Sequence, residues 1–416
     1  CTLAFSACGD TEKPHTHTYD KQIAEEQFIK SEATCTQKAV YYFSCECGEK
    51  GEETFEYGQL KAHTFDKKVV EDKYLESAAT AYTKAVYYFS CECGEMGEET
   101  FEYGDVLPPT EGLEYVLNDG GGSYSLKGIG TATDNDIIIA SEIDGKPVIA
   151  IGERAFEDNK NITSVSIPDS IERIGSLAFR ACQNLLKLEI PASVEVIGDS
   201  AFERCSALRS ITVDKDNPKF KNENNCLLTK NGETLKLGCY TSVIPEGVKT
   251  IGIGAFEGCS ALTEIVIPDS VKTIAFRAFY NCEKLKSINI PDSVETIGQY
   301  AFTYCTALES VNLSNSITLI NNDVFYGCKN LTSITIPEGV ESIRDDAFAY
   351  SGLVSISIPA SVTSIGRNTF QWCVDLIDIN YRGTVEQWGE ISLGNNWNQY
   401  TDDYTVTCSD GKINKY

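Results

Sequence analysis

Histidine is scarce in this 416-residue chain, and all three histidines, His15, His17 and His63, lie near its N-terminus. The rest of the chain therefore has no imidazole for acid–base catalysis or for activating a nucleophile. The His-Glu-x-x-His, Gly-x-Ser-x-Gly and Walker A motifs are absent as well. These absences predict a protein that is not an enzyme.

Basic residues and long apolar runs are also in short supply. Lys and Arg total 35 against 61 Asp and Glu, which gives a net charge of −26. Nucleic-acid binding needs clustered Lys and Arg, so the composition argues against a nucleic-acid partner. No stretch resembles the run of about 20 apolar residues that a membrane-spanning helix needs.

The chain is rich in one repeat, whose period is 23 residues. Self-similarity at such a period marks a solenoid, because no single unit can bury its own apolar face. An Ile-x-Ile-Pro segment in most units predicts a short strand that ends at the proline. The spacing of Ala301, Phe302, Cys305 and Leu308 predicts one tight helical turn at the next corner. The repeat phenylalanines are Phe156, Phe179, Phe202, Phe256, Phe279, Phe302, Phe325, Phe348 and, one residue early, Phe370.

The repeat consensus has a family resemblance. Leu-x-x-Ile-x-Ile-Pro-x-Ser-Val-x-x-Ile-Gly-x-x-Ala-Phe-x-x-Cys resembles the leucine-rich repeat of BspA-like bacterial surface proteins over about residues 137–380. The resemblance implies a β-rich leucine-rich-repeat solenoid of 23-residue coils with short strands and short helical turns. It also implies a surface adhesin that recognises a host protein, a glycan or another cell. The alternative is a structural stalk or envelope spacer without a specific ligand.

The remaining segments predict a tether, two small β-hairpin repeats and two caps. An insert within the solenoid is predicted to form a β-hairpin that stands off one side of the rod. Cys226 and Cys239 lie near its base and are a candidate disulfide pair. The predicted ranges are 1–16 for a signal tail and tether, 17–58 for the first cysteine-containing repeat, 59–110 for the second with a linker, 111–150 for an N-terminal β cap, 151–380 for the solenoid, 214–240 for its insert, and 381–416 for a C-terminal cap with a helix around 384–391 and a strand at 404–408.

A lipid anchor is predicted at Cys8. Phe5-Ser6-Ala7-Cys8-Gly9 resembles the end of a lipoprotein signal, in which the cysteine is cut and lipidated. This predicts an extracytoplasmic protein at the cell surface that meets the membrane only through its lipid. A plain secretory signal tail is the alternative, and the sequence does not indicate an oligomeric state.

The second halves of the two N-terminal repeats are nearly identical. Residues 38–58 match residues 84–104 except for Lys50 against Met96. Units this small have too little apolar core to be stable alone, so we expect a covalent or metal cross-link to stabilise them.

Zinc is one such cross-link, since three thiolates and an imidazole make a closed structural site. The second copy keeps His63, Cys91 and Cys93 but has Ala81 in place of the first cysteine, and Cys-x-Cys is tighter than the usual zinc spacing. Packed or disulfide-bonded cysteines are therefore preferred, and no cofactor is predicted. The candidate set in the first copy is His17, Cys35, Cys45 and Cys47.

Seven further cysteines share one repeat position, and unpaired core packing is preferred for them over redox or metal chemistry. They are Cys182, Cys205, Cys259, Cys282, Cys305, Cys328 and Cys373.

The candidate ligand-binding site is an aromatic stripe that follows the repeat phenylalanines. Tyr and Trp are favoured anchors in interfaces and against sugar faces. The plainer interpretation, which the sequence favours, is that each ring only covers the next corner. The stripe consists of Tyr280, Tyr304, Tyr326, Tyr350 and Trp372.

Overall fold

A computed structural model describes residues 16–79 and 82–414. The chain divides into two compact units, Cys1–Leu107 and Pro108–Tyr416. Within the described residues no helix has the length and apolar character needed to span a membrane. Cys8, with its predicted lipidation motif, lies outside the described residues.

The first unit contains two copies of a three-stranded antiparallel sheet. The predicted hairpins are confirmed, and each gains a third strand after a short 3-10 turn, Glu26–Phe28 or Asp72–Tyr74. The strands are β1 (Ile29–Ser31), β2 (Ala39–Ser44) and β3 (Lys50–Tyr57), then β4 (Leu75–Ser77), β5 (Ala85–Ser90) and β6 (Met96–Tyr103).

The second unit begins with a β cap that covers the first coil. Two strands form an antiparallel hairpin, and the second of them continues the solenoid by pairing in parallel with the first coil. Through this parallel pairing the hairpin covers the apolar end of the solenoid, which a terminal repeat must shield from water. The strands are β7 (Glu114–Leu117), β8 (Tyr124–Gly128), β9 (Asp136–Ile138), β10 (Glu142–Ile143) and β11 (Lys146–Ile151).

The following coils confirm the predicted solenoid. Most coils contribute a strand before the Ile-Pro segment and a two-residue strand further on, and strands of neighbouring coils pair in parallel, as Ile174 does with Ile197 and Leu188 with Ile211. The first of these strands are β12 (Ser164–Ser166), β13 (Arg173–Ile174), β14 (Lys187–Ile190), β15 (Val196–Ile197) and β16 (Ser210–Val213).

The prediction that the insert stands off one side of the rod is wrong. The insert forms β17 (Phe220–Glu223), β18 (Cys226–Thr229) and β19 (Thr234–Leu237). The last strand pairs in parallel with the next coil, at β20 (Thr250–Ile251), so the insert takes the place of a coil in the stack. Burial of apolar side chains on its last two strands, including Leu228 and Leu235, stabilises that position.

Cys226 and Cys239 do not form the candidate disulfide. Both are buried free thiols. Cys226 Sγ lies 3.5 Å from the carbonyl oxygen of Val243, and Cys239 Sγ lies 3.1 Å from the amide nitrogen of Asn225, which donates to it. Local polar groups therefore satisfy each sulfur separately.

In the later coils each paired residue lies opposite its equivalent in the next coil, as Ser287 does opposite Ser310. One expected strand does not form, at residues 264–267. On the preceding coil the N–H groups of Ile211 and Val213 donate to the side chains of Asn225 and Asn222 of the insert instead of to a following strand. The strands are β21 (Thr273–Ile274), β22 (Ser287–Asn289), β23 (Thr296–Ile297), β24 (Ser310–Asn312), β25 (Leu319–Ile320), β26 (Ser333–Thr335), β27 (Ser342–Ile343), β28 (Ser355–Ile358), β29 (Ser364–Ile365) and β30 (Asp378–Tyr381).

The C-terminal cap combines a short helix with a final hairpin. Helix α1 (Val385–Glu390) starts at Thr384, whose side chain accepts a hydrogen bond from the Gln387 N–H in a capping box. Trp388 is buried on this helix and packs against Trp397 with ring centroids 6.1 Å apart. The strands are the predicted β32 (Thr405–Thr407) and two that were not predicted, β31 (Ser392–Leu393) and β33 (Lys412–Asn414).

The core is a stack of phenylalanine rings with a row of thiols beside it. Neighbouring rings within each of the two runs are 5.1 to 5.8 Å apart and within 21° of parallel. All seven repeat cysteines are buried and free, and six donate to the carbonyl oxygen of the previous coil's phenylalanine at 3.1 to 3.3 Å. Burial raises the pKa of the Cys182 thiol to about 12, so these sulfurs are neutral hydrogen-bond donors.

Candidate functional site

The corner that carries the aromatic stripe is a pair of turns, not the helical turn that the sequence predicted. Residues two before and two after the repeat phenylalanine adopt left-handed backbone, as Tyr300 (φ 60°) and Tyr304 (φ 58°) do around Phe302. Alternate N–H groups then point along the stack. Tyr304 donates to the Tyr326 carbonyl of the next coil at 2.8 Å. These backbone hydrogen bonds between neighbouring coils offset the conformational free energy that left-handed backbone costs at residues other than glycine.

The structure brings all five stripe residues together. Consecutive ring centroids are 5.8, 5.4, 5.2 and 6.0 Å apart, so each ring contacts the next. Tyr400 of the C-terminal cap extends the series, with its ring 4.5 Å from that of Trp372. We call these six rings the aromatic row, in the order Tyr280, Tyr304, Tyr326, Tyr350, Trp372 and Tyr400.

The rings of the aromatic row both cover corners and face solvent. A Cβ added to Gly327 would lie 2.7 Å from the Tyr304 ring, so this ring covers the neighbouring corner as the plainer interpretation expected. Yet Tyr304 is 37% exposed, and Tyr350 and Trp372 are each 42% exposed. The outer half of the row is therefore available to a partner.

Two arginines lie at the N-terminal end of the aromatic row. The guanidinium of Arg277 is 5.0 Å from the Tyr280 ring centroid, and that of Arg204 is 5.6 Å from it. Arg277 also lies over Phe276 and Tyr300, whose rings contact each other at 5.5 Å. Cation–π contacts hold these rings and widen the aromatic surface at this end.

The strand face offers a different kind of surface. Its outward side chains are mostly small and polar, and Asn312 donates to Asn289 of the previous coil at 3.3 Å. Val266 is an exception that is 78% exposed. Because its outward side chains are mostly polar, this face offers fewer aromatic anchors than the aromatic row.

The structure separates the four candidate zinc ligands of the first repeat. His17, Cys45 and Cys47 lie together, with His17 Nδ1 3.4 and 3.2 Å from the two sulfurs. Cys45 and Cys47 are joined as a disulfide. Cys35 is not part of this group.

Cys35 instead lies with three residues of the second repeat. His63 Nδ1 is 3.4 Å from both Cys91 Sγ and Cys93 Sγ, and the four donor atoms lie within 4.8 Å of one another. All three cysteines are free. We call Cys35, His63, Cys91 and Cys93 the inter-repeat cluster.

The two adjacent thiols of the inter-repeat cluster differ in acidity. Desolvation raises the pKa of Cys91, but hydrogen bonds from Cys93, His63 and backbone N–H groups outweigh it and lower the pKa to about 6. The hydrogen bond with Cys91 and a second one with Cys35 raise the pKa of Cys93 to about 11. The pair thus shares one proton at neutral pH.

Sequence reasoning missed Tyr400 and the true partners of Cys35. Tyr400 lies in the irregular cap, 28 residues after Trp372, where no period identifies it. A signal for the inter-repeat cluster was present, because Ala81 replaces Cys35 in the last copy while the other three ligand positions are kept.

Comparison with protein families supports the fold. The family model described as "BspA type Leucine rich repeat region" matches six copies at residues 137–230, 238–351 and 306–400. Among curated proteins, no sequence matches the chain.

Similar solved structures include two bacterial proteins described as leucine-rich and one bacterial vaccine antigen. A leucine-rich repeat protein from Eubacterium ventriosum ATCC 27560 is 21% identical, with 70% of this chain and 93% of that chain covered and a TM-score of 0.51. A leucine rich cell surface protein from Faecalibacterium prausnitzii A2-165 is 26% identical, covering 70% and 97%, with a TM-score of 0.38. The pneumococcal vaccine antigen PcpA is 17% identical, covering 82% and 91%, with a TM-score of 0.48.

Proposed function

Because the chain belongs to the BspA-type leucine-rich repeat family, we propose that it is a cell-surface protein that binds a macromolecule through the aromatic row. The observation that carries this proposal is the unbroken contact of six rings along one edge of the solenoid. Aromatic side chains that are rigidly held and partly exposed are the residues that dominate binding energy in interfaces.

The shape of the aromatic row favours an extended ligand. Because successive coils of a solenoid stack about 4.8 Å apart, a row of six rings extends over roughly 24 Å. A small molecule would contact one or two rings, whereas a polysaccharide or a protein surface would contact the whole row. The ligand class is therefore a glycan or a protein surface, and the reaction class is binding without chemistry.

We test this proposal by incubating the intact chain with arrays of extracellular-matrix proteins and glycans. The informative variant is Trp372→Asn, because Asn281 (φ 59°) holds the same left-handed position in another coil. The variant removes a ring without straining the turn. We expect capture to weaken at least about tenfold, the effect of losing a hot-spot aromatic.

The matched control is Val266→Ser on the strand face, which also removes an exposed apolar side chain. It should leave capture unchanged. If Trp372→Asn binds as well as the wild type and Val266→Ser does not, the strand face is the binding surface. If no array component is captured, the solenoid acts as a spacer.

Surface attachment is the second part of the proposal. The motif that ends at Cys8 supports lipidation of that cysteine. Cys8→Ser in the full-length gene should release the protein into the medium, because a single substitution removes the acylated side chain. Cell fractionation measures the effect, and retention in the membrane fraction would contradict lipidation at Cys8.

A further inference from the structure

We propose that the inter-repeat cluster binds one zinc ion and thereby joins the two N-terminal repeats. The site goes beyond the proposed binding function, which involves only the solenoid. Tetrahedral zinc with Zn–S bonds of about 2.3 Å and Zn–N bonds of about 2.0–2.1 Å places nitrogen and sulfur ligands about 3.6 Å apart. His63 Nδ1 is 3.4 Å from each of two sulfurs, so the cluster has nearly the spacing that a bound ion requires.

The histidine is oriented as a metal ligand would be. While Nδ1 of His63 faces the sulfurs, its Nε2 lies 3.1 Å from Glu95 Oε2. A carboxylate that accepts the second ring N–H fixes the tautomer and leaves the other nitrogen free to bind metal. In the first repeat Glu49 Oε2 lies instead 3.3 Å from Nδ1 of His17, the nitrogen that faces the sulfurs.

Cys35 reaches the second repeat through contacts made by the connecting segment. The Lys61 N–H donates to the Thr34 carbonyl at 2.9 Å. The Lys61 ammonium lies 2.7 Å from Glu32 Oε2. These contacts bring the residue before Cys35 next to the segment that leads to His63, so they hold a ligand of the first repeat at a site of the second.

The difference between the two copies fits this cross-repeat arrangement. The last copy keeps His63, Cys91 and Cys93 at the positions of His17, Cys45 and Cys47, but Ala81 stands where the first copy has Cys35. If each copy supplies one thiol to the copy that follows, the last copy has no site to serve. Loss of this cysteine alone, with His63, Cys91 and Cys93 kept, then has a physical reason.

The described part of the first unit also has no large apolar core that would otherwise hold its repeats together. The two large clusters of buried apolar residues both lie in the second unit and begin at Leu126 and Cys226. In the described part of the first unit, the buried apolar side chains are few. Small domains of this kind gain their stability from staples, and a structural zinc ion contributes folding free energy directly.

The donor set favours zinc among the common metals. Three thiolates and one imidazole form a closed tetrahedral set, with no open position for substrate, and oxygen-preferring cations such as magnesium and calcium do not suit it. Binding requires each cysteine to be deprotonated, so uptake of the ion releases protons from the thiols.

The test uses Co²⁺ as a spectroscopic probe on the intact, reduced chain. The parent variant is Cys45→Ser with Cys47→Ser, which removes the sulfurs of the first repeat, so that the remaining signal reports on the inter-repeat cluster. We expect one Co²⁺ per chain with the ligand-field and sulfur-to-cobalt charge-transfer bands of a tetrahedral thiolate site, displaced by equimolar Zn²⁺. Adding Cys35→Ala should remove about a third of the charge-transfer intensity, one thiolate of three, and weaken affinity at least tenfold.

Three results would overturn the proposal. The reduced parent variant could bind no Co²⁺, Cys35→Ala could leave both spectrum and affinity unchanged, or mass spectrometry of the untreated wild type could show a Cys91–Cys93 disulfide. Hydrogen exchange at β5 and β6 in each variant establishes that the second repeat is folded, so loss of binding through misfolding is distinguished from loss of a ligand. Capture on the protein and glycan arrays is a separate readout, so failure of one proposal does not imply failure of the other.

Discussion

Phe302→Ala is expected to lower the free energy of unfolding of the solenoid by about 3–5 kcal/mol, through lost transfer energy and the cavity left behind. The Phe302 ring is completely buried and stacks between Phe279 at 5.3 Å and Phe325 at 5.7 Å. Because coils contact only their neighbours, the centre of the stack should open before its ends. Denaturant unfolding measures the loss, and hydrogen exchange should show protection lost around residues 279–325.

Tyr304→Asn is the matched control for this prediction. Tyr304 lies two residues from Phe302 on the same corner, but its ring is 37% exposed, and asparagine tolerates its left-handed backbone. We expect it to cost well under half as much stability as Phe302→Ala and to weaken ligand capture. A greater loss of stability for Tyr304→Asn would reverse the assignment of inward and outward positions.

Gly352→Ala should also destabilise the solenoid strongly, by about 3 kcal/mol, the upper part of the range for overpacking. The coil from Phe348 to Phe370 is one residue short, and Gly352 stands where the previous coil has Lys329 and Asn330. A Cβ there would overlap the carbonyl oxygen of Lys329. Backbone cannot move aside as a flexible side chain can, so the shortened coil requires glycine.

Gly389→Ala provides the comparison. Gly389 lies in α1, and a Cβ there meets nothing within 4 Å. Alanine should therefore be neutral or stabilising by up to about 1 kcal/mol, the difference in helix propensity. Denaturant unfolding of both variants gives the contrast, and equal effects would show that the short coil relaxes around the added methyl group.

The periodic part of the fold could be predicted because its information is local and repeated. Each unit carries the same apolar positions, so the inward side chains, the strand before Ile-Pro and the buried thiols all follow from one 23-residue pattern. Burial of Phe302, Cys305 and Leu308 in the structure matches that pattern.

The placement of the insert could not be predicted in the same way. Its strands β18 and β19 are readable from an Asn231-Gly232 turn, but a hairpin that stands off the rod and one that joins the stack have the same local pattern. What decides between them is the pairing of Thr234 with Thr250 in the following coil. That choice depends on long-range packing, which overrides local propensity. The insert also explains why no strand forms at 264–267, since its asparagine side chains accept the hydrogen bonds of the preceding coil's strand.

The corner geometry and the inter-repeat cluster also depend on contacts between coils or between repeats, which the sequence of a single repeat does not predict. Left-handed backbone at Tyr304 and Trp372 could not be predicted, because neither position is a glycine. Hydrogen bonds between the backbones of neighbouring coils stabilise this conformation. Grouping Cys35 with its own repeat was the natural prediction from the 46-residue offset, but the connecting segment carries it to the next repeat.

Hydroxyl-radical footprinting of the intact chain, with and without a ligand captured on the arrays, tests the proposed binding surface most directly. Exposed aromatic side chains are oxidised readily, so contact with the ligand appears as reduced labelling. The aromatic row predicts protection of Tyr304, Tyr350, Trp372 and Tyr400 together, with labelling of Ile377 and Val266 unchanged. Protection that is confined to the strand face, or that leaves these four rings fully labelled, would contradict the account.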